Sequence, residues 1–221
     1  MVHPLAVLLD GAAHGRFPEP DGEVHVLPPL PGKLDALVAF TGTFALTGAV
    51  TQPEVDALVP RGEFTIPTSA EFVRWVAGRL SARPETQDIV FAAVSPGSDD
   101  TTDGCETTAE LIEVAESSHP RVERATRYRT DVRVYETVDR RGVVVLGRGI
   151  TRRWEIAYEV DADARNVGLG RALAASALRL LPKGTPVWAQ VAPGNTASVR
   201  AMIGAGFKPV GAEILFVREP G

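Results

Sequence analysis

The sequence predicts a mixed α/β (α+β) fold built on a sheet that combines antiparallel and crossover-connected strands. Two patterns carry that expectation. Three strand candidates, residues 129–138, 143–150 and 154–160, follow one another across short turns, as an antiparallel meander does. Beyond residue 160 the pattern becomes helix, strand, helix, strand, which needs crossover connections. Composition agrees: 44% of the 221 residues are hydrophobic, enough for a substantial core.

In chain order, residues 1–34 are rich in Pro and Gly. Their apolar run Leu5–Leu9 has no preceding Lys or Arg and is ended by Asp10, so it reads as neither a secretory leader nor a membrane span. Val24–Leu27 reads as a short strand. Leu34–Phe40 and Phe44–Val50 read as two strands joined near Gly42. Gln52–Leu58 suits a short helix opening near Pro53. Ala70–Leu80 suits a longer one, capped by Thr68 or Ser69 and burying Phe72, Val73, Val76 and Leu80. Residues 1–84 form an N-terminal accessory lobe in this reading, and residues 85–221 a second domain.

In that second domain Ile89–Val94 is a buried strand by its continuous apolar run. The acidic stretch from Asp99 to Glu110 reads as a solvated loop rather than a calcium loop, because Glu106 stands where an apolar residue is usual. Thr108–Ser117 reads as a helix and Arg121–Arg127 as another, with His119 serving its start. A helix over 168–181 buries Leu169, Leu173, Ala177 and Leu180. Val187–Val191 is a strand, Asn195 caps a helix running to Ala205, Gly206 stops it, and Glu213–Arg218 is the last strand.

Charge and rare residues narrow the function. With 23 Lys and Arg against 28 Asp and Glu, the net charge of −5 argues against nucleic-acid binding. It is compatible with a cationic small substrate. The lone Cys105 excludes an internal disulfide or multi-cysteine zinc site, and the four histidines lack metal-ligand spacing, so no metal is expected. No stretch reaches transmembrane length. A cytoplasmic protein without membrane attachment is the expectation.

The segment that carries chemistry runs from Val160 to Arg171. A strand enters, a polar loop follows, and a helix opens at Gly168 and Gly170. Helix starts present unpaired N–H groups and partial positive charge, glycines remove the Cβ atoms that would keep a phosphate away, and Arg165 and Arg171 add donors. A dinucleotide fingerprint is excluded, because Leu173 holds its third glycine position. A Gly-Lys-Ser/Thr ending is absent as well. A plain glycine-containing helix start packed on a sheet remains the alternative from these residues alone.

A second segment, Asn195-Thr196-Ala197-Ser198 through Gly206-Phe207, joins the first. Together they resemble the GNAT acetyltransferase superfamily, with Arg165, Gly168 and Gly170 matching its pyrophosphate loop and Asn195, Ser198 and Gly206-Phe207 matching its following helix. The resemblance covers roughly residues 87 to 221, within the second domain. It implies a sheet split between strands 154–160 and 187–191, with acetyl-coenzyme A in the split. The pyrophosphate would lie at Arg165, Asn166, Val167, Gly168, Leu169, Gly170 and Arg171, and the pantetheine arm along Ala157–Val160, including Tyr158 and Val160. Asn195 and Ser198 would assist. The acetyl group would pass directly to a small or protein amine. Glu159 or Glu155 would take the amine proton. The family's usual Tyr acid is replaced by Met202, which leaves Tyr158 or water to protonate the thiolate. A coenzyme A-binding module with little turnover is the alternative. The resemblance further suggests a homodimer through the final strands; residues 1–84 match no motif and read either as a degenerate copy of the same fold or as an added lobe.

Overall fold

The computed structural model describes residues 2–98 and 108–218; Cys105 and most of the acidic stretch from Asp99 lie outside the described residues. The expected mixed α/β class is the one observed. The chain divides into two compact units, residues 1–90 with 210–221, and residues 91–209. The last strand therefore belongs with the first unit, whereas the sequence reading had grouped it with the second.

The first unit holds helices α1 (Pro4–Ala13), α2 (Gln52–Asp56) and α3 (Ala70–Leu80) and strands β1 (Val24–Leu27), β2 (Leu34–Phe40), β3 (Thr43–Thr47) and β4 (Ala82–Pro84). Its sheet runs β1-β3-β2 and is completed by β11 (Lys208–Arg218). β2 and β3 form the expected hairpin around Gly42, with Leu37 opposite Leu46 and Phe40 opposite Thr43. α3 packs Phe72, Val76, Ala77 and Leu80 onto Leu37, Leu46, Ile214 and Phe216. Ser69 caps it, accepting from the Phe72 amide at 3.2 Å. β11 is antiparallel to β2 from Ala212 to Val217 and to β4 from Phe216 to Arg218, so both its edges are taken over Phe216 and Val217.

β11 starts earlier than expected. Gly211 disguised the strand, yet only glycine fits there, because a Cβ would sit 2.0 Å from the Ala39 carbonyl oxygen. α1 went unread in the sequence. Its apolar residues Leu5, Leu9 and Ala12 are buried at helical spacing, and His3 Nδ1 accepts from the Leu5 amide at 3.1 Å.

The second unit holds α4 (Pro120–Tyr128), α5 (Leu169–Arg179) and α6 (Thr196–Gly204). Its strands run β10 (Pro186–Val191), β9 (Trp154–Val160), β8 (Gly142–Arg148), β7 (Thr130–Thr137) and β6 (Leu111–Val114), with the later part of β5 (Asp88–Val94) beside β10. The β7-β8-β9 meander is the one expected, Val144 lying between Tyr135 and Tyr158. The helix expected over Thr108–Ser117 is instead β6, antiparallel to β7 with Leu111 opposite Thr137. Leu-Ile-Glu-Val is too short to fix a period, and pairing with an available β7 edge decides its form.

α4 opens as α1 does, on His-Pro: His119 Nδ1 accepts from the Arg121 amide at 3.1 Å, and Pro120 follows. His119→Ala should cost about 0.5–2 kcal/mol of stability, and His119→Asn should restore most of it. Denaturant titration of the three proteins checks this. Equal midpoints for parent and Ala variant would show that the imidazole caps nothing of consequence.

Candidate functional site

β9 and β10 run parallel but pair over two positions only, Trp154 with Val187 and Glu155 with Trp188. Both strands continue, to Val160 and Val191, without further pairing to each other. The sheet therefore forks, and the β10-facing edge of β9 is open past Glu155. Because side chains alternate, Trp154, Ile156, Tyr158 and Val160 share the face toward α5, while Glu155, Ala157 and Glu159 share the other.

The loop from β9 to α5 aims at the fork's open end. Asn166 and Gly168 both adopt left-handed backbone, φ +65° and +88°. Asn tolerates this region, whereas a β-branched residue at 168 would be strained. Gly168 stands at the N-cap without a side-chain cap, so the first-turn amides of α5 have no intrahelical acceptors. Nothing lies within 4 Å of a Cβ built on Gly168. The ground in front of the helix is open and electropositive by the helix dipole. Val167 is fully at the surface, and Arg165, also exposed, uses its Nε to hold the Val160 carbonyl at 3.2 Å.

Gly170 has a packing task beside the one read in the sequence. Its missing Cβ admits Tyr158, whose ring edge would lie 3.3 Å away, and Ala201 of α6. Arg171 extends along Gly204, its Cδ 3.1 Å from a Cβ placed there. Gly170 and Gly204 thus allow α5 to pack closely against Tyr158 and α6.

Tyr158 rises from β9 toward this junction. Its hydroxyl is buried without a well-aligned hydrogen-bond partner, with the Ser198 side chain as its polar neighbour. Burial pushes the phenol above its ordinary pKa, against smaller opposing effects of Ser198 and Arg121, so the proton is retained at neutral pH. Asn195 caps α6 through Oδ1, which accepts from the Ser198 amide at 3.1 Å. Met202, on the same helix, is buried in the core.

The two carboxylates of the other face differ sharply. Glu159 is half-buried, and Arg121 of α4 donates to its Oε2 from Nε at 3.3 Å and from Nη2 at 3.2 Å. Both bonds fall on one oxygen, which leaves Oε1 outside the pair. Glu155, the other candidate base, is buried between Arg129 Nε, 2.9 Å from Oε2, and Arg153 Nε, 2.8 Å from Oε1. Burial alone would raise its pKa, but the two guanidinium groups outweigh it and hold the carboxyl below the ordinary range. A carboxylate whose ionised form is favoured and whose oxygens are both engaged is poorly suited to accept a proton.

Sequence reading missed two groupings. Arg129 and Arg153 gave no motif. Asp21, Glu23 and His25 bring their ligand-type atoms within 4.8 Å of one another, an Asp-x-Glu-x-His pattern that was legible but not noticed. These three engage each other and Arg61: His25 Nε2 lies 2.7 Å from Asp21 Oδ2, and Arg61 Nε lies 3.1 Å from Glu23 Oε1. No helix among the described residues is long and apolar enough to cross a membrane.

No family model and no curated protein matches the chain. Solved structures similar to it include a GCN5-related N-acetyltransferase from Kribbella flavida, with 16% identity, TM-score 0.40 and coverage of 67% of this chain. The chain spans 64% of that protein, just under two thirds. A GNAT-family acetyltransferase from Colwellia psychrerythraea shares 10% identity at TM-score 0.41, covering 69% of this chain and 63% of its own. A GCN5-related N-acetyltransferase-like protein from Streptococcus suis shares 12% at TM-score 0.42, with 83% of each chain covered. The likeness is to proteins described as GCN5-related or GNAT-family acetyltransferases.

Proposed function

We propose that the unit of residues 91–209 is an N-acetyltransferase that moves an acetyl group from acetyl-coenzyme A to an amine. The observation that carries this reading is the fork itself: an unpaired strand edge over Ile156–Val160 leading to an uncapped helix start with open ground at Gly168. An extended, amide-containing arm suits such an edge, and a pyrophosphate suits such a helix start. Asn166, Val167, Gly168, Leu169, Gly170 and Arg171 would hold the phosphates with Arg165 nearby, and Tyr158 and Val160 would line the arm. Asn195 and Ser198 would support the loop from α6.

When bound, acetyl-coenzyme A supplies an activated thioester. The protein's own tasks are to accept the amine proton and to return one to the leaving thiolate. Glu159 serves the first through Oε1, with Arg121 steadying Oε2. Tyr158 serves the second, since its buried phenol keeps its proton and has no well-aligned internal acceptor. Glu155 is assigned to the scaffold instead. A second reading, a coenzyme A-binding module with little turnover, draws on one observation: Met202, where the resemblance expects an acid, is buried and cannot donate a proton. Coenzyme A release with a panel of amines, against a protein-free control, separates the two.

Gly168→Val tests the cofactor assignment directly. Strained backbone at φ +88° and a branched side chain in the open ground should weaken acetyl-coenzyme A binding at least about tenfold. Calorimetry on the folded variant checks it, and undiminished affinity would remove the assignment.

A further inference from the structure

Arg129 lies immediately before β7, and its side chain crosses the sheet where β9 and β10 part. It passes over Gly147 of β8, where a Cβ would come within 3.0 Å of its own Cβ and 3.1 Å of its Cδ. On β9 its Nε donates to Glu155 Oε2 at 2.9 Å, and on β10 its Nη2 donates to Gln190 Oε1 at 3.4 Å. Glu155 belongs to the last backbone pair of the β9–β10 ladder, and Gln190 lies beyond its partner Trp188. One side chain therefore lies along β8 and links β9 to β10 at the apex of the fork.

The surroundings are shaped to this arrangement. Glu155 Oε1 is held by Arg153 Nε, and the Arg153 guanidinium lies 5.1 Å from the Trp188 ring centroid, against β10. A Cβ on Gly149 would fall 2.2 Å from the Glu155 carboxylate, so glycine there makes room for it. The side chains of Arg129 and Glu155 are only 10% and 8% exposed. Apolar residues of similar volume commonly serve stability as well as a buried ion pair or better, so such a network points to geometry.

We propose that Arg129 is a positioning residue: with Glu155 and Gln190 it braces a two-residue parallel ladder and fixes where the fork begins. A ladder that short is weak by itself. The brace adds a side-chain link between the strands after the backbone link has ended. Its consequence for catalysis rests on the proposed acetyltransferase reading, because the gap width would set how thioester and amine meet. The brace itself is a property of the chain without ligand.

The test is amide hydrogen exchange on the full-length, ligand-free protein. Arg129→Lys keeps a cation beside Glu155 but loses the planar fork that reaches two partners. Gln190→Leu removes only the β10 anchor. Both variants should exchange about tenfold faster in segments 154–158 and 186–191, with β7 and β8 unchanged. Unchanged exchange in the two folded variants would overturn the brace. So would a uniform acceleration across residues 91–209, which would mark a general contribution to stability. Failure of the acetyltransferase reading looks different: Gly168→Val would then bind acetyl-coenzyme A like the parent while the exchange result stood.

Discussion

Changing Glu159 to Gln is expected to lower turnover at pH 7 by about 10²–10⁴-fold with acetyl-coenzyme A affinity intact. The size is kept and the basicity removed. A free alkylamine arrives almost wholly protonated at neutral pH, so a proton acceptor has a definite task. The deficit should shrink as pH rises, because more amine arrives already neutral. Steady-state rates across pH, with chemistry shown to limit turnover, provide the measurement. A rate equal to the parent's at pH 7 would eliminate Glu159 as the base. Because Arg121 engages only Oε2, Arg121→Gln should perturb the rate far less than Glu159→Gln.

Changing Glu155 to Ala should act on stability before chemistry. It leaves Arg129 and Arg153 as buried cations without their shared carboxylate, a change of the kind that costs about 3–5 kcal/mol. Against the ordinary total of about 5–15 kcal/mol, that is enough to unfold a substantial fraction of the protein on mild heating. The pH dependence has a fixed sign. A carboxyl held below its unfolded-state pKa stabilises the fold at neutral pH, and that contribution fades as pH falls through the folded-state value. The parent should therefore lose its advantage over Glu155→Gln in acid, where its own carboxyl becomes protonated. Urea titrations of both proteins at neutral and acidic pH measure the difference. A gap that stays constant with pH would show that the carboxylate charge is not what matters.

The meander of β7, β8 and β9 was legible because β-branched runs and short polar turns leave little alternative. The loop and helix start at 160–171 were legible because glycines at a strand-to-helix junction are a local signal. What escaped had no local signal or an ambiguous one. β6 offers four residues that suit either period until β7 pairs with it. α1 opens on the same His-Pro pair as α4, but its apolar run drew attention as a leader and not as an amphipathic face. The Arg129–Glu155 pair spans 26 positions, and nothing in either neighbourhood marks it. Gly147 and Gly149 fall inside the predicted strand 143–150, and their meaning lies in the side chains that occupy the space they leave. The packing of Tyr158 against Gly170 likewise has no signal in the sequence around either residue.

The route of the chain bears on how it comes to be folded. Residues 1–90 are made first, but their sheet lacks β11, whose Ala212 pairs with Ala39. During synthesis the first unit waits, with the β2 edge exposed, until the whole 91–209 segment has emerged. Such long-range closure is slow, and an unpaired edge is where wrong association begins. The same route governs how the protein can be cut. A fragment of residues 85–221, the second domain of the sequence reading, carries β11 away from β2 and leaves the β2 edge of the first half unpaired. A cut that keeps β2 with β11 holds residues 1–90 and 210–221 together, joined by a short linker in place of the segment between them.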